Sequence, residues 1–269
     1  MTEKRVRVRI APSPTGYFHV GSARTALFNW LFARQHGGDF VVRVEDTDRT
    51  RYNAEAVPDL ADSLRWLGLD WDEGPEVGGD FGPYYQSERL ELYHHYAEKL
   101  VSEGHAYRCY CSPQRLAALR EQQMEQKTDV GYDRHCRQLT ADQHAEFQAE
   151  GVTPVIRLKV PLEGQTSFHD VLYGTITVEN ETLDDLILLK SDGFPTYHLG
   201  VVVDDHLMEI SHVLRADEWI STTPHRQLIY RALGWTPPLY AHLPVILSPS
   251  GSGKMSKRKT LGLSLIHIS

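Results

Sequence analysis

A chain of 269 residues with 41% hydrophobic and 24% charged side chains can bury a substantial core, as one large or two ordinary domains, and is not a disordered tail. Its formal charge of −8 excludes a uniformly basic binding face, so an RNA partner would need local patches, either Lys4, Arg5, Arg7 and Arg9 or Lys254, Lys257, Arg258 and Lys259. No apolar stretch approaches the roughly 20 residues of a membrane helix, no signal peptide is visible, and three cysteines make no disulfide framework, so a reducing cytoplasm is the expected compartment.

In chain order, Val6–Ile10 is a β-branched run broken by Pro12, Pro14 and Gly16, and Gly21 opens a segment with Ala23, Leu27, Leu31 and Phe32 at helical spacing. Gly37-Gly38 stops that helix, Phe40–Val44 reads as a second strand, and Asn53–Leu67 as a helix. Strands alternating with helices at this spacing imply a parallel sheet with crossover helices and a ligand crevice at the strand ends. From Tyr84 to Lys190 the character changes: helices at Ser87–Glu103 and Pro113–Lys127, a polar stretch through Gln148, and short strands at Val155–Val160 and Thr175–Val178, which together look like an inserted domain. The α/β pattern returns with apolar runs at Asp185–Leu189, Thr196–Val203 and Ile210–Leu214, then a helix from Pro224 to Gly234. Leu261–Ser269 has no cap or turn chemistry and reads as truncated or foreign sequence, with a short buried strand as the alternative.

Two segments carry chemistry. Arg9–Ser22 (RIAPSPTGYFHVGS) places His19 and Gly21 where a strand gives way to a helix N-terminus, whose unpaired N–H groups and positive dipole end suit a phosphate. Gly21 would let a nucleotide approach the backbone and His19 could donate to phosphate oxygens; a packed turn histidine is the plainer alternative. Lys254-Met255-Ser256-Lys257-Arg258 follows a Gly/Ser-rich stretch, a loop able to close its lysines over a triphosphate.

Together these resemble the two signatures of class I aminoacyl-tRNA synthetases. Arg9–Gly16 (RIAPSPTG), Arg43–Asp48 (RVEDTD), Gly82–Arg89 (GPYYQSER), Lys190–Leu199 (KSDGFPTYHL) and Val203–Met208 (VDDHLM) narrow the resemblance to the glutamyl-tRNA synthetases, from about Arg5 to Lys259. The resemblance implies an α/β fold, a Rossmann-like catalytic domain with an inserted α+β acceptor-end-binding domain. Its expected divisions are 1–84 and 191–240 for the catalytic halves, 85–190 for the insertion, 241–260 for the start of a stem-contact region with the basic loop, and 261–269 for the tail. It implies a glutamate site of Arg9, Ser13, Glu45, Tyr197 and Arg215, in which arginine forks bind carboxylates, Arg9 faces the side-chain carboxylate, and Glu45 and Ser13 face the ammonium. For Arg215 and Glu45, residue type alone would suggest an ordinary ion pair. Some relatives carry Asn where Val201 stands and others Val. ATP would meet His19, Gly21, Ser22, Lys254, Ser256 and Lys257, with His19, Gly21, Lys254 and Lys257 as the catalytic set and Mg2+ on the phosphates; Ser22 stands where the motif's last histidine is usual.

The implied reaction activates L-glutamate with ATP and transfers it to tRNA-Glu, in a monomer with no membrane partner. An anticodon-binding domain would lie beyond Lys259. Cys109, Cys111 and Cys136, with Tyr132 as first choice for a fourth ligand and His135 and His144 behind it, resemble a zinc-bearing insertion; Gln138 stands where some relatives have histidine, and three buried free thiols are the alternative. The chain's length also suits the related enzyme that glutamylates queuosine in tRNA-Asp, but RVEDTD and GPYYQSER fit the full synthetase better. Arg9–Gly16 and Arg215 match the glutamyl rather than the glutaminyl pattern. A non-catalytic binder of the tRNA acceptor end is the reading from another class, opposed by intact His19, Gly21, Lys254 and Lys257.

Overall fold

The computed structural model describes residues 5–247. β1 (Arg7–Ile10) passes through the proline-rich loop into α1 (Val20–Gln35), and β2 (Asp39–Val42) returns parallel to β1, with Arg7 opposite Asp39 and Ile10 opposite Val42. The turn between them needs its glycines: Gly37 has φ +59°, and a Cβ on Gly38 would lie 2.2 Å from the Val6 carbonyl oxygen. α1 turns Ala23, Ala26, Asn29 and Ala33 inward, whereas Leu27 and Leu31 are exposed. Small residues let the helix lie close on the sheet, and Asn29 Nδ2 donates to the Leu214 carbonyl at 3.1 Å.

After α2 (Ala56–Trp66) and α3 (Leu90–Ser102), the chain forms β3 (Ala106–Cys109), α4 (Pro113–Glu125), α5 (Ala141–Ala149) and β4 (Val155–Leu158). α5 lies in the stretch read from sequence only as polar. It has no buried residue, so no apolar stripe announced it, but Thr140 and Gln143 form a reciprocal capping box at its start. β5 (Gln165–Asp170), β6 (Gly174–Glu179), β7 (Ile187–Leu189), α6 (Tyr197–Leu207), β8 (His212–Ala216), α7 (Thr223–Ala232) and β9 (Leu239–Leu243) complete the described chain.

The mixed α/β architecture is the one expected, although only part of it is parallel. β8–β9 and β5–β9 are parallel, the β5–β6 hairpin is antiparallel, and β3–β4–β7 form a separate antiparallel sheet. β1 meets the start of β8 where Ser211 N donates to the Arg7 carbonyl at 2.9 Å. The strand-length run Thr196–Val203 is not a strand but lies in α6. Buried at Leu199, Gly200, Val201, Val202, Val203, Asp204 and Asp205, this helix is covered on most sides and loses the polar face that marks a surface helix. The largest apolar cluster joins Tyr93 and Leu100 of α3, Ile156 and Leu158 of β4, Leu188 of β7, Leu199 and Val202 of α6 and Ile229 of α7.

Candidate active site

The C-terminal ends of β1 and β8 open into a cleft of ≈ 870 Å³. Its wall brings together Arg9, Ser13, His19, Gly21, Ser22, Glu45, Tyr197 and Arg215. Thr47, Asp48, Lys190, His198 and Trp219 line it as well, as do Pro244, Val245 and Ile246, which precede the basic segment. Lys254, Ser256 and Lys257 lie outside the described residues, as does the 261–269 tail.

His19 is the N-cap of α1. Its Nδ1 accepts from the N–H groups of Gly21 at 3.1 Å and Ser22 at 3.2 Å. An accepting Nδ1 puts the neutral ring's proton on Nε2, 3.4 Å from Ser22 Oγ. A Cβ on Gly21 would meet the His19 ring at 3.0 Å, so this glycine makes room for the capping imidazole as well as for any ligand. Two N–H groups at the helix start are therefore occupied by the ring.

Beneath the cleft lies a buried charge network that residue type alone did not single out. Arg43, fully buried, reaches Glu45 Oε1 at 3.0 Å, Asp205 Oδ1 at 2.8 Å and Asp204 Oδ2 at 3.6 Å. Arg9 grips Asp205 with Nε at 3.1 Å and Nη2 at 3.2 Å, and Arg89 Nε holds Asp204 Oδ1 at 2.7 Å. Burial raises the Glu45 carboxyl above its ordinary value although Arg43 and Arg9 pull it down. Burial also raises Asp205, but the two arginines outweigh it and hold it low. The visible signal for this network was charge interrupting apolar runs, Arg43 in FVVRV and Asp204-Asp205 after GVVV, since buried charges require partners.

Among the described residues Arg215 and Arg226 have no carboxylate partner. Arg215, on β8, gives Nε to His242 Nε2 at 3.0 Å and Nη2 to Thr223 Oγ1 at 2.6 Å, while its buried Nη1 makes no hydrogen bond. Arg226 is 1% exposed, all three of its guanidinium nitrogens lack hydrogen bonds, and its Cζ sits 4.6 Å from the centre of the Tyr197 ring. Among the described residues Arg9 is thus neutralised by Asp205, whereas Arg215 on the cleft wall and Arg226, buried behind Tyr197, are left without a carboxylate. His198, whose Nδ1 is also unpaired, is pushed down to about 3 by burial and by the charges of Arg226 and His225.

Residues 5–267 match the family described as tRNA synthetases class I (E and Q), catalytic domain. The chain belongs to that family. A glutamate–tRNA ligase of Dehalococcoides mccartyi is 61% identical over 253 residues, covering 94% of this chain and 51% of the relative. One from Borrelia duttonii is 56% identical over 254 residues, covering 94% and 50%. Among solved structures, a glutamate tRNA ligase from Elizabethkingia meningosepticum in complex with its amino acid superposes with a TM-score of 0.91 at 40% identity, covering 95% of this chain and 52% of that one. The chain thus spans about half the length of the curated relatives it matches.

In this class I synthetase chain a second polar cluster lies at the end of β3. The sulfurs of Cys109, Cys111 and Cys136 lie within 4.8 Å of one another. The Tyr132 hydroxyl is 3.3 Å from Cys109 Sγ and 3.5 Å from Cys111 Sγ, and it accepts from Cys136 N at 2.9 Å. His135 is exposed, and His144 instead faces the Tyr110 hydroxyl at 3.3 Å. Hydrogen bonds from Cys136 and Tyr132 pull the Cys109 thiol down to about 4, while the same pairing and burial push Cys136 up. Arg157 stacks 3.9 Å above the Tyr132 ring and Arg115 Nη1 points to Cys111 Sγ at 3.6 Å, so cations surround the sulfurs.

Proposed function

We propose that this chain is the catalytic part of a glutamate–tRNA ligase, which activates L-glutamate with ATP and transfers it to the 3′ end of tRNA-Glu. The observation that carries this reading is Arg215 on the cleft wall, a guanidinium with no carboxylate partner among the described residues, beside the already paired Arg9. A dicarboxylic amino acid brings the missing negative charge, and glutamine does not. A volume of ≈ 870 Å³ has room for an amino acid together with a nucleotide.

In the proposed reaction an oxygen of the glutamate α-carboxylate attacks the α-phosphorus of ATP, and the bond to pyrophosphate breaks. The terminal ribose hydroxyl of tRNA then attacks the acyl carbon and AMP leaves. Glu45 and Ser13 receive the substrate ammonium, Arg9 and Arg215 meet its carboxylates, and Tyr197 closes the side of the site. His19 Nε2–H and the α1 N-terminus face the phosphates, and Lys254, Ser256 and Lys257, outside the described residues, are assigned to the same phosphates. Catalysis rests on position and on charge stabilisation, with no covalent protein nucleophile. Among the described residues the cysteine set is the one group of three or more donor side chains placed to share an ion, so Mg2+ would enter on ATP's phosphates and neutralise their charge.

The domain division at 84, 190, 240 and 260 is part of the same reading, with 85–190 receiving the acceptor end. Cys109, Cys111, Cys136 and Tyr132 would hold Zn2+, for which three converging sulfurs and one phenolic oxygen are a suitable tetrahedral donor set. We place the protein in the cytoplasm as a monomer; no helix among the described residues is long and apolar enough to cross a membrane.

The test is ATP–pyrophosphate exchange with glutamate or glutamine, with and without tRNA-Glu, on this chain and on a version extended with the native downstream sequence. Exchange that requires glutamate and rises with tRNA-Glu supports the proposal. Exchange with glutamine overturns it, and full tRNA-independent exchange with tRNA-Asp as acceptor would establish the queuosine-directed activity instead.

A further inference from the structure

Arg215 is held by a relay that runs across three neighbouring strands. In the parallel pairing of β8 with β9, Arg215 stands directly opposite His242, so the two side chains share a face. Asp170, at the end of β5, adjoins β9 one step further across. His242 and Asp170 are both fully buried. His242 Nδ1 is 2.6 Å from Asp170 Oδ2, and Arg215 Nε is 3.0 Å from His242 Nε2.

The hydrogens in this row follow from the partners. Arg215 Nε–H can only donate, so His242 Nε2 must accept, and the ring's single proton must then sit on Nδ1 and donate to Asp170. Burial keeps His242 below the ordinary histidine value although Asp170 pulls it up, consistent with a neutral ring. Asp170 is itself anchored: Oδ1 accepts from Leu172 N at 2.9 Å and Tyr173 N at 3.0 Å, and Oδ2 also accepts from His242 N at 3.1 Å. Every atom of that carboxylate is committed, so the imidazole can neither rotate nor change tautomer without breaking a buried bond. Thr223 Oγ1 holds Arg215 Nη2 at 2.6 Å. Among the described residues, Nη1 alone of the guanidinium nitrogens has no partner.

We infer that Asp170 and His242 are positioning residues that fix the Arg215 guanidinium in the cleft wall, by locking the histidine tautomer that accepts from Nε. The inference rests on the reading of Arg215 as a glutamate contact. The relay makes Arg215 a preorganised fork, which separates amino-acid binding from nucleotide binding: neither Asp170 nor His242 lines the cleft, so their loss acts on glutamate through Arg215 and leaves ATP unaffected.

The experiment measures L-glutamate and ATP binding separately by calorimetry on the full chain, with 15N-histidine spectra of the same samples. His242→Ala should weaken glutamate binding about tenfold, the order expected for loosening one charged contact, with ATP binding unchanged. His242→Gln, whose amide oxygen can accept from Arg215 Nε, should recover most of that loss. The unsubstituted protein should show His242 as the neutral Nδ1–H tautomer. In Asp170→Asn, which places a donor where acceptors are needed on both sides, the Nε2–H tautomer should emerge and glutamate binding should weaken. Equal losses in His242→Ala and His242→Gln, or an Nε2–H tautomer in the unsubstituted protein, would overturn the inference. Arg215→Ala separates the two levels. If it leaves glutamate binding intact, the reading of Arg215 as a contact fails; if it weakens binding while His242→Ala does not, only the relay fails. Should the alanine variant not fold, the spectrum of the unsubstituted protein still decides the tautomer.

Discussion

The cleft and the cysteine cluster are both buried polar sites, and they are assembled in opposite ways. Arg9 and Asp205 meet across 196 positions of sequence, whereas Cys111 and Cys136 are 25 apart within one stretch of chain. In the cleft, arginines and carboxylates pair in a shared network, so each charge depends on several strands and helices holding their places. In the cysteine cluster one hydroxyl and two arginines gather around three sulfurs, and the surrounding apolar cluster is small, built on Tyr107, Cys109, Tyr132 and Cys136. Damage to the first should spread through the fold, and damage to the second should stay local.

The largest effect expected from this contrast is on Arg43. Arg43→Met strands Glu45, Asp204 and Asp205 with one cation fewer among them, at a cost of about 3–5 kcal/mol in urea unfolding. A loss under 1 kcal/mol would show that the network is no more coupled than a surface pair. Next comes the metal proposed for the cysteines: Cys136→Ser should abolish stoichiometric zinc in elemental analysis, and Tyr132→Phe should weaken its affinity at least ~tenfold. Either variant should leave glutamate binding in the cleft unchanged. Full zinc retention by Tyr132→Phe would remove the hydroxyl from the ligand set.

Arg226 separates stability from function. Because its guanidinium is buried without a hydrogen bond, Arg226→Leu should raise unfolding stability by about 1 kcal/mol while weakening glutamate binding, since the cation behind the cleft-lining Tyr197 is lost. Lower stability together with unaltered glutamate affinity would sink that account. A last effect concerns pH. His198 is held down to about 3, so between about pH 3 and its ordinary value near 6.5 the unfolded chain binds the proton that the folded chain refuses. Stability therefore falls as pH drops through that window, by about 1 kcal/mol between pH 6.5 and 5.5. His198→Gln should flatten this slope in unfolding curves taken at successive pH values, and an identical slope would assign the acid sensitivity elsewhere.

Local features were legible wherever chemistry repeats over a few residues. The Gly37-Gly38 stop, the Pro224 start of α7 and the first two strands appear close to where hydrophobic pattern and turn residues put them. Tyr132 could be chosen over His135 and His144 on spacing and resemblance, and it is Tyr132 that lies against the sulfurs. α6 showed in the sequence only as an apolar run because a helix buried on most of its faces has no 3.6-residue period to display, and the exposed α5 escaped for the converse reason, having no apolar stripe. The residues singled out for the cleft came from motif resemblance, and the structure gathers those it describes in one wall.

By itself, then, the amino-acid sequence determined the class of fold and the family, since both reside in hydrophobic pattern and in short words of contiguous residues. Only the tertiary structure decided which charges cancel. That Arg9 is neutralised by Asp205, that Arg226 is left alone beneath Tyr197, and that His242 turns an acceptor toward Arg215 depend on distances between segments far apart in the chain. Electrostatic and hydrogen-bond energies fall steeply with separation and rise with burial, and both quantities come into being only when the strands and helices are packed.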